Sequence, residues 1–454
     1  MMRGLRWTGI VLLVLLLLAA ALWSASRLLG PTAEQRRAVA MFEQMPGPEG
    51  SNAFPALWLL QWDVPEPEQA ALVAEDAERF RALPPWGDPA RGEATRELES
   101  VAAGRYEDLR AGLADAPASC GPGEGGCLER VRADRDAHAG RLEQSARLVD
   151  RVQAFFDHDH YRSPLPPAVD GPLPPLQLMS LGQTRHALQF VDGEIDAALA
   201  GTCRRVDGWR RIAGNADSLL VTMYAVAGIQ GDGSLLADML AELPPAHALP
   251  SACVSALAPP RPDGLGLCPA MRGEWKFGMS AFDAMQAEAG LGGRIGRWLL
   301  LDPEATAALS ASNLAWACGE QAAQAVAQDR PMHPPQQDGG PWRFECVANL
   351  AGCALMEVAR PAYADYGQRL QDSGARIRVL GTLAWLRERA AAGDARSARD
   401  LLVDLPEGLR SPGRVVEVDP DGRHLRIGLF DTRQDSHWRV PLPPELQGER
   451  PVIP

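Results

Sequence analysis

At 454 residues the chain is long enough for one large or two ordinary domains, and 46% hydrophobic with 23% charged residues is the balance of a folded globular protein rather than a disordered one. A net charge of −13 argues against nucleic acid as a partner, because neutralising phosphate backbones takes a surplus of cationic side chains, and against electrostatic adhesion to anionic lipid. Lys276 is the only lysine, so nearly every cation is an arginine.

The first thirty residues form the first predicted element. Arg3 and Arg6 precede an uncharged stretch from Trp7 to Ser26, and Arg27 closes it. Twenty residues at about 1.5 Å each span roughly 30 Å, the thickness of a hydrocarbon core. Ten residues between Ile10 and Leu22 are Ile, Val or Leu, worth roughly −3 to −6 kcal/mol towards insertion. Ala19-Ala20-Ala21 and Ser24-Ala25-Ser26 offer small residues at cleavage spacing, but the length of the run and Trp23 at its end favour a retained signal anchor. No cysteine stands directly after the run, which removes a lipoprotein. Arg3 and Arg6 predict a cytoplasmic N-terminus and an inner-membrane, single-pass protein whose main domain is periplasmic.

Next along the chain, Thr32 to Met45 reads as a juxtamembrane helix ending at a Pro/Gly break, Pro46 to Gly50. Amphipathic runs follow over Glu66–Leu83, Arg91–Leu113 and, longest, Leu128–Phe156, where apolar residues recur near the 3.6 period. The proline-rich connector Ser163 to Pro175 suits neither helix nor central strand. Leu176 to Ile229 predicts two or three helices, Ser234 to Leu243 a shorter one, and Pro244 to Pro269 a loop crowded with Pro and Cys. Met271 to Ala289 is helical again. Asp302-Pro303-Glu304 is a helix start, with a capping Asp, a Pro whose missing N–H costs nothing and a Glu facing the dipole. That helix is expected to reach about Gln328, followed by a loop (Arg330 to Trp342) and helices over Arg343–Leu355 and Tyr363–Ala392. In the last stretch Val416/Val418, Leu425/Ile427/Leu429 and Trp438/Val440/Leu442 alternate with polar or small residues, as half-buried strands do, and Asp419-Pro420-Asp421-Gly422 supplies turn chemistry.

The expected architecture is therefore mainly α: an anchor over 1–30, an irregular multi-helix extracytoplasmic domain over 31–408, and over 409–454 a small antiparallel β-meander with a proline-rich tail. Eight cysteines, Cys120, Cys127, Cys203, Cys253, Cys268, Cys318, Cys346 and Cys353, all follow the apolar run, and an even count in an exported chain points to disulfides. Loop closure favours near neighbours. It predicts Cys120–Cys127 first and Cys253–Cys268 next. Cys346 and Cys353 would lie about 10 Å apart in one continuous helix, beyond bridging distance. Either that stretch is not one helix, or each pairs elsewhere, with Cys203 and Cys318 the available partners.

Candidate chemistry is sparse. His158 and His160, within Asp157-His158-Asp159-His160, are the candidate metal ligands, and they share a side only if the segment is extended. Polar residues where a helix ends are otherwise commonplace. Gly290-Leu291-Gly292-Gly293-Arg294-Ile295-Gly296 has the wrong spacing for dinucleotide binding, and no cofactor is expected. Glu194 and Asp196 are the kind of acid pair that arises by chance among 58 acidic residues. No signature of a nucleophilic or metal-dependent enzyme is present.

Asn52-Ala53-Phe54-Pro55-Ala56-Leu57-Trp58-Leu59-Leu60, Asp63-Val64-Pro65, Cys127-Leu128, Ser163-Pro164-Leu165-Pro166-Pro167 and His186-Ala187-Leu188 with Phe190-Val191-Asp192-Gly193 are similar to motifs of a family of uncharacterised, exported, membrane-anchored helical proteins of proteobacteria. The resemblance covers most of the chain and implies no activity, so it assigns no functional residue. The reading that follows is a tethered scaffold or binding protein of the cell envelope, with another envelope component as partner. A cell-envelope hydrolase with a dispersed site and a periplasmic small-molecule carrier are the alternatives.

Overall fold

The computed structural model describes residues 2–84, 90–92, 99–110, 113, 120–287, 291–335, 343–359, 363–433 and 435–447. The fold is mainly helical with a three-stranded antiparallel sheet at its C-terminal end. The helices run in chain order α1 Met2–Leu29, α2 Ala33–Gln44, α3 Phe54–Trp58, α4 Glu66–Arg81, α5 Cys127–Ala133, α6 Arg135–Gln144, α7 Ala146–Ala154, α8 Ser180–Val191 and α9 Ile195–Asn215. They continue as α10 Leu219–Glu242, α11 Ala252–Leu257, α12 Cys268–Ala287, α13 Leu291–Leu300, α14 Pro303–Ala315, α15 Glu320–Ala327, α16 Leu350–Ala359, α17 Tyr363–Ala391 and α18 Ala398–Leu401. The strands are β1 Glu417–Val418, β2 His424–Gly428 and β3 His437–Pro441, paired β1–β2–β3.

α1 is apolar over Trp7–Leu29, and its most apolar stretch has no buried residue. A helix of that length and composition can cross a bilayer. α10 is also long and apolar, but its most apolar window is 67% buried, so it is a core helix. It packs against α9, α17 and β3, and one continuous core links these helices to Leu425, Ile427, Trp438 and Val440 of the sheet. Local chemistry sets several boundaries. Thr32 and Gln35 form a reciprocal capping box at the start of α2, and the Asp302 carboxylate accepts from the Ala305 amide at the start of α14. In the first hairpin Gly422 takes a positive φ of 74°, and the Asp419 amide donates to the His424 carbonyl.

Several predicted boundaries shift. The run Leu128–Phe156 is three short helices, α5 to α7, because the backbone leaves helical values at Asp134 (ψ 54°) and Ser145 (ψ 20°). The Ser145 hydroxyl donates to the Arg141 carbonyl, a local bond that competes with helix continuation. Conversely, the predicted break before Ser234 is absent. α10 runs through Gly231-Asp232-Gly233, where the small residues allow close packing: a Cβ at Gly231 would lie 3.1 Å from the Gly123 nitrogen. Part of the loop Pro244–Pro269 is helical as α11, and the helix expected from Pro303 to Gln328 is interrupted by a 3-10 turn at Trp316–Cys318. In the run Arg91–Leu113, residues 93–98 and 111–112 lie outside the described residues, and Val101–Gly104 is a 3-10 turn. Gly290 and the tail 448–454 lie outside them as well, while residues 291–296 belong to α13.

The cysteines lie in four pairs at disulfide distance, Cys120–Cys127, Cys203–Cys253, Cys268–Cys318 and Cys346–Cys353. The expected Cys253–Cys268 pairing is therefore corrected. Cys253 sits on α11, which packs against α9 and so meets Cys203, whereas Cys268 opens α12 and faces Cys318. Short sequence separation governs closure of an unfolded chain, but packed helices decide which thiols meet. Cys346 ends a 3-10 turn and Cys353 lies in α16, so the stretch is not one helix and the two Cα atoms are 5.8 Å apart.

Candidate functional site

Among the described residues, no group of three potential ligand atoms includes His158 or His160. His158 follows a 3-10 turn in extended conformation and His160 pairs with Asn52, so the segment is extended, as a shared site would require. Its polar groups nevertheless serve the fold. Asp159 accepts from the Ser51 amide and hydroxyl, and the Arg211 guanidinium donates to the carbonyls of Phe156 and His158. Burial pulls the His158 imidazole below its ordinary pKa against the charges of Glu66, Asp157 and Asp159. Among the described residues, Asp419, Asp421 and His424 alone bring three potential ligand atoms together, and arginines already pair with their carboxylates: Arg426 and Arg439 with Asp419, Arg423 with Asp421. Asp196 pairs with His247, and Glu194 accepts from Gln189.

A site emerges elsewhere, where α10, α17, the Cys120–Cys127 loop and the sheet converge on a cavity of about 620 Å³. The disulfide-closed loop is held in place by the Gly123 amide on the Ala227 carbonyl (2.8 Å) and the Gln230 amide on the Gly123 carbonyl (2.8 Å). Opposite, Arg369, Asp372 and Arg376 of α17 recur at offsets of three and four, which aligns them on one helix face. Trp438 and Leu429 bring the sheet into the wall.

Most charges of this wall are satisfied. Asp431 accepts from Arg369 Nε and Arg433 Nε, each at 2.8 Å, and the Arg433 and Arg369 hydrogen bonds overcome burial and hold its carboxyl well below the usual range. Asp372 accepts from the amides of Phe430 and Asp431, each at 2.9 Å, and from Arg414. Arg376 differs. Its side chain is 7% exposed, its Nε is buried with no hydrogen-bond partner, and no ion pair reaches it among the described residues. Burial pulls its pKa down to about 10, with Asp372 and Asp431 opposing the shift from further away. A buried nitrogen donor without a hydrogen-bond partner is costly to the fold, and here the side chain that carries it borders a space large enough for a small ligand.

Two other cavities lack this feature. The groove of about 750 Å³ between residues 245–259, α17 and Pro406–Leu409 is mostly apolar, and its Arg387 donates to the carbonyls of Leu240, Leu243 and Pro244. In the cavity of about 370 Å³ beside α9, Arg210 donates to the Ser255 and Ala256 carbonyls, while Arg211 pairs with Asp207 and Arg261 with Asp263. Sequence reading missed Arg376. The available signal was the row Arg369, Asp372, Arg376 on one face of a helix whose neighbouring positions, Leu370, Ile377 and Leu380, are core. No protein-family model, no curated protein and no solved structure matches the chain.

Proposed function

We propose that this chain is a membrane-tethered binding protein of the bacterial cell envelope, whose cavity between α10, α17 and the sheet takes a small ligand through an anionic group held by Arg376. The observation that carries the reading is Arg376, a buried residue whose Nε has no hydrogen-bond partner and which has no ion pair among the described residues, on the wall of a cavity of about 620 Å³. A carboxylate or phosphate fits a guanidinium in bidentate geometry and would remove the cost of its burial. In this reading α1 anchors the protein in the inner membrane with Arg3 and Arg6 in the cytoplasm, and the disulfide-paired domain occupies the oxidising periplasm. Binding is favoured over hydrolysis because the fold already engages the carboxylates of both Asp372 and Asp431. The first is already held by Arg414 and two amides, the second by two arginines.

The test compares the full chain with Arg376→Met in thermal unfolding, with inorganic phosphate or citrate titrated against chloride at equal ionic strength. The expected result is an anion-dependent rise in Tm for the natural protein, absent in Arg376→Met, which is itself at least as stable without anion because it removes a buried unpaired charge. Equal anion responses in the two proteins, or a large loss of ligand-free stability in Arg376→Met, would remove the basis of the reading.

A further inference from the structure

Beyond the cavity, the surface around the end of α1 carries exposed apolar side chains among the described residues. Ile295, Trp298 and Leu299 of α13 are exposed, Trp298 by 59%, and so are Phe344 and Val347 just before α16. Residues 295, 298 and 299 stand at offsets of three and four, so they form one apolar stripe on α13. The two segments share a further property: the last turns of α1 grip both. Trp23 Nε1 donates to the Leu299 carbonyl at 2.7 Å, and Arg27 donates to the carbonyls of Trp298 and Leu301, both at 3.2 Å. Ser26 Oγ donates to the Phe344 carbonyl at 2.9 Å and accepts from the Ala348 amide at 3.2 Å. The Trp23 and Trp298 rings lie 4.8 Å apart.

We propose that α13 and the Phe344–Val347 segment lie in the headgroup region of the same bilayer that α1 spans, so that the domain rests on the membrane through an apolar face. The proposal depends on α1 being a membrane span, as the proposed function has it. The occupant follows from lengths. The 23-residue span Trp7–Leu29 reaches about 34 Å as a helix, longer than a hydrocarbon core of about 30 Å. If Trp7 marks one boundary, Trp23 and Arg27 fall at the other, where tryptophan and arginine are favoured. Side chains at that depth hold α13 by its own carbonyls, so its apolar stripe cannot stand more than about a side chain's length from lipid. An amphipathic helix lying in the interface plane buries such a stripe among headgroups and upper acyl chains. A protein partner would have to compete with lipid already in contact.

The full chain, with its disulfides intact, accepts a single new thiol for labelling with an environment-sensitive fluorophore. Four variants are reconstituted in nanodiscs of phosphatidylethanolamine and phosphatidylglycerol containing nitroxide-labelled lipid: Leu16→Cys within α1, Ile295→Cys and Val347→Cys on the proposed face, and Val403→Cys at an exposed position outside it. The expected result is quenching at Ile295 and Val347 several-fold above that at Val403, strongest with the nitroxide near the headgroup, and quenching at Leu16 strongest with the nitroxide deep in the chain. Quenching at Leu16 with none above the Val403 level at Ile295 and Val347 overturns the membrane face and leaves the anchor standing. Absence of quenching at Leu16 overturns both. Lipid-independent crosslinking of two Ile295→Cys chains, without quenching there, overturns the proposal in favour of a second copy.

Discussion

Replacing Arg414 by Met should unfasten the C-terminal sheet from the helical body. Arg414 is buried and pairs with Asp329 and Asp372, each at 2.5 Å, with its guanidinium 3.8 Å over the Phe430 ring. At an effective dielectric of about 20, two charges that close attract by roughly 6–7 kcal/mol, and desolvation offsets much of this. Methionine fills similar volume but strands two buried carboxylates, and breaking a buried pair from one side costs about 3–5 kcal/mol. Because Asp372 also receives the Phe430 and Asp431 amides, the loss should appear in the sheet before it appears in α9 and α10. Hydrogen exchange of peptides spanning β2 and β3 should accelerate by roughly 150- to 5000-fold, the equivalent of that free energy. The pH dependence should reverse as well. Burial pushes the Asp329 carboxyl up, but the hydrogen bonds and charge of Arg414 outweigh it and hold the group below its ordinary 3.8. A carboxyl held low contributes stability that is present above the unfolded value and lost as the pH falls through the folded value. Without Arg414, burial, the largest single influence, is opposed only by the Ser411 hydrogen bond and the Arg378 charge, so the folded pKa should rise above the unfolded one and protection of the sheet should improve as the pH is lowered from 7 towards 4. Exchange within threefold of the natural protein, or an unchanged pH slope, would refute the argument.

Two further predictions concern the fold. A Cβ at Gly413 would meet the Asp329 carbonyl oxygen at 2.0 Å, so Gly413→Ala should destabilise by about 1–3 kcal/mol, read as a lower urea midpoint at unchanged slope. His186 is buried, hydrogen-bonded to Gln153 and Gln189, and burial lowers its pKa to about 3. Its folded value lies below the unfolded 6.5, so the unfolded chain takes the proton first and stability falls with pH below about 6.5. The slope from this residue approaches about 1.4 kcal/mol per pH unit, and His186→Gln should flatten it by that amount in urea titrations between pH 6 and 4. An equal slope in both proteins would show that the imidazole is not held neutral.

The parts of the fold legible in the sequence are those decided by local chemistry. Trp7–Leu29 needs no partner to be read as apolar helix, Thr32 and Gln35 cap α2 from within one turn, and the alternation around Leu425 and Ile427 marks a strand by itself. What tertiary contacts decide was not legible. Gly231-Asp232-Gly233 reads as a break, yet Asp232 is buried against Arg205 and Trp209, bonds that hold the segment within α10. Cys253 and Cys268 read as neighbours, yet α9 lies between Cys253 and any short path, carrying Cys203 to it. His186 drew no reading of its own from the sequence, yet it packs where a Cβ at Gly201 would lie 2.0 Å from its ring, as a spacer between α8 and α9.

Arg376 was the least legible of all, because what distinguishes it is a missing partner. Arginine supplies almost every positive charge of this protein, and its buried members show what the fold demands of them. Arg205 has Asp232, Arg387 has three carbonyls beyond the last turn of α10, and Arg414 has two carboxylates. Arg272 and Arg141 also carry buried guanidinium nitrogens without a hydrogen bond among the described residues; Arg272 lines none of the cavities, and the half-buried Arg141 lines a separate cavity of about 420 Å³ beside Cys120. A buried cation costs the fold several kcal/mol unless something pairs with it. Arg376 lies within the same helix as Arg387 and beside the same Asp372 that serves Arg414, so carboxylates were within reach of this architecture and went elsewhere. In the proposed reading the missing partner is an anion that arrives from outside, through the cavity that Arg376 borders.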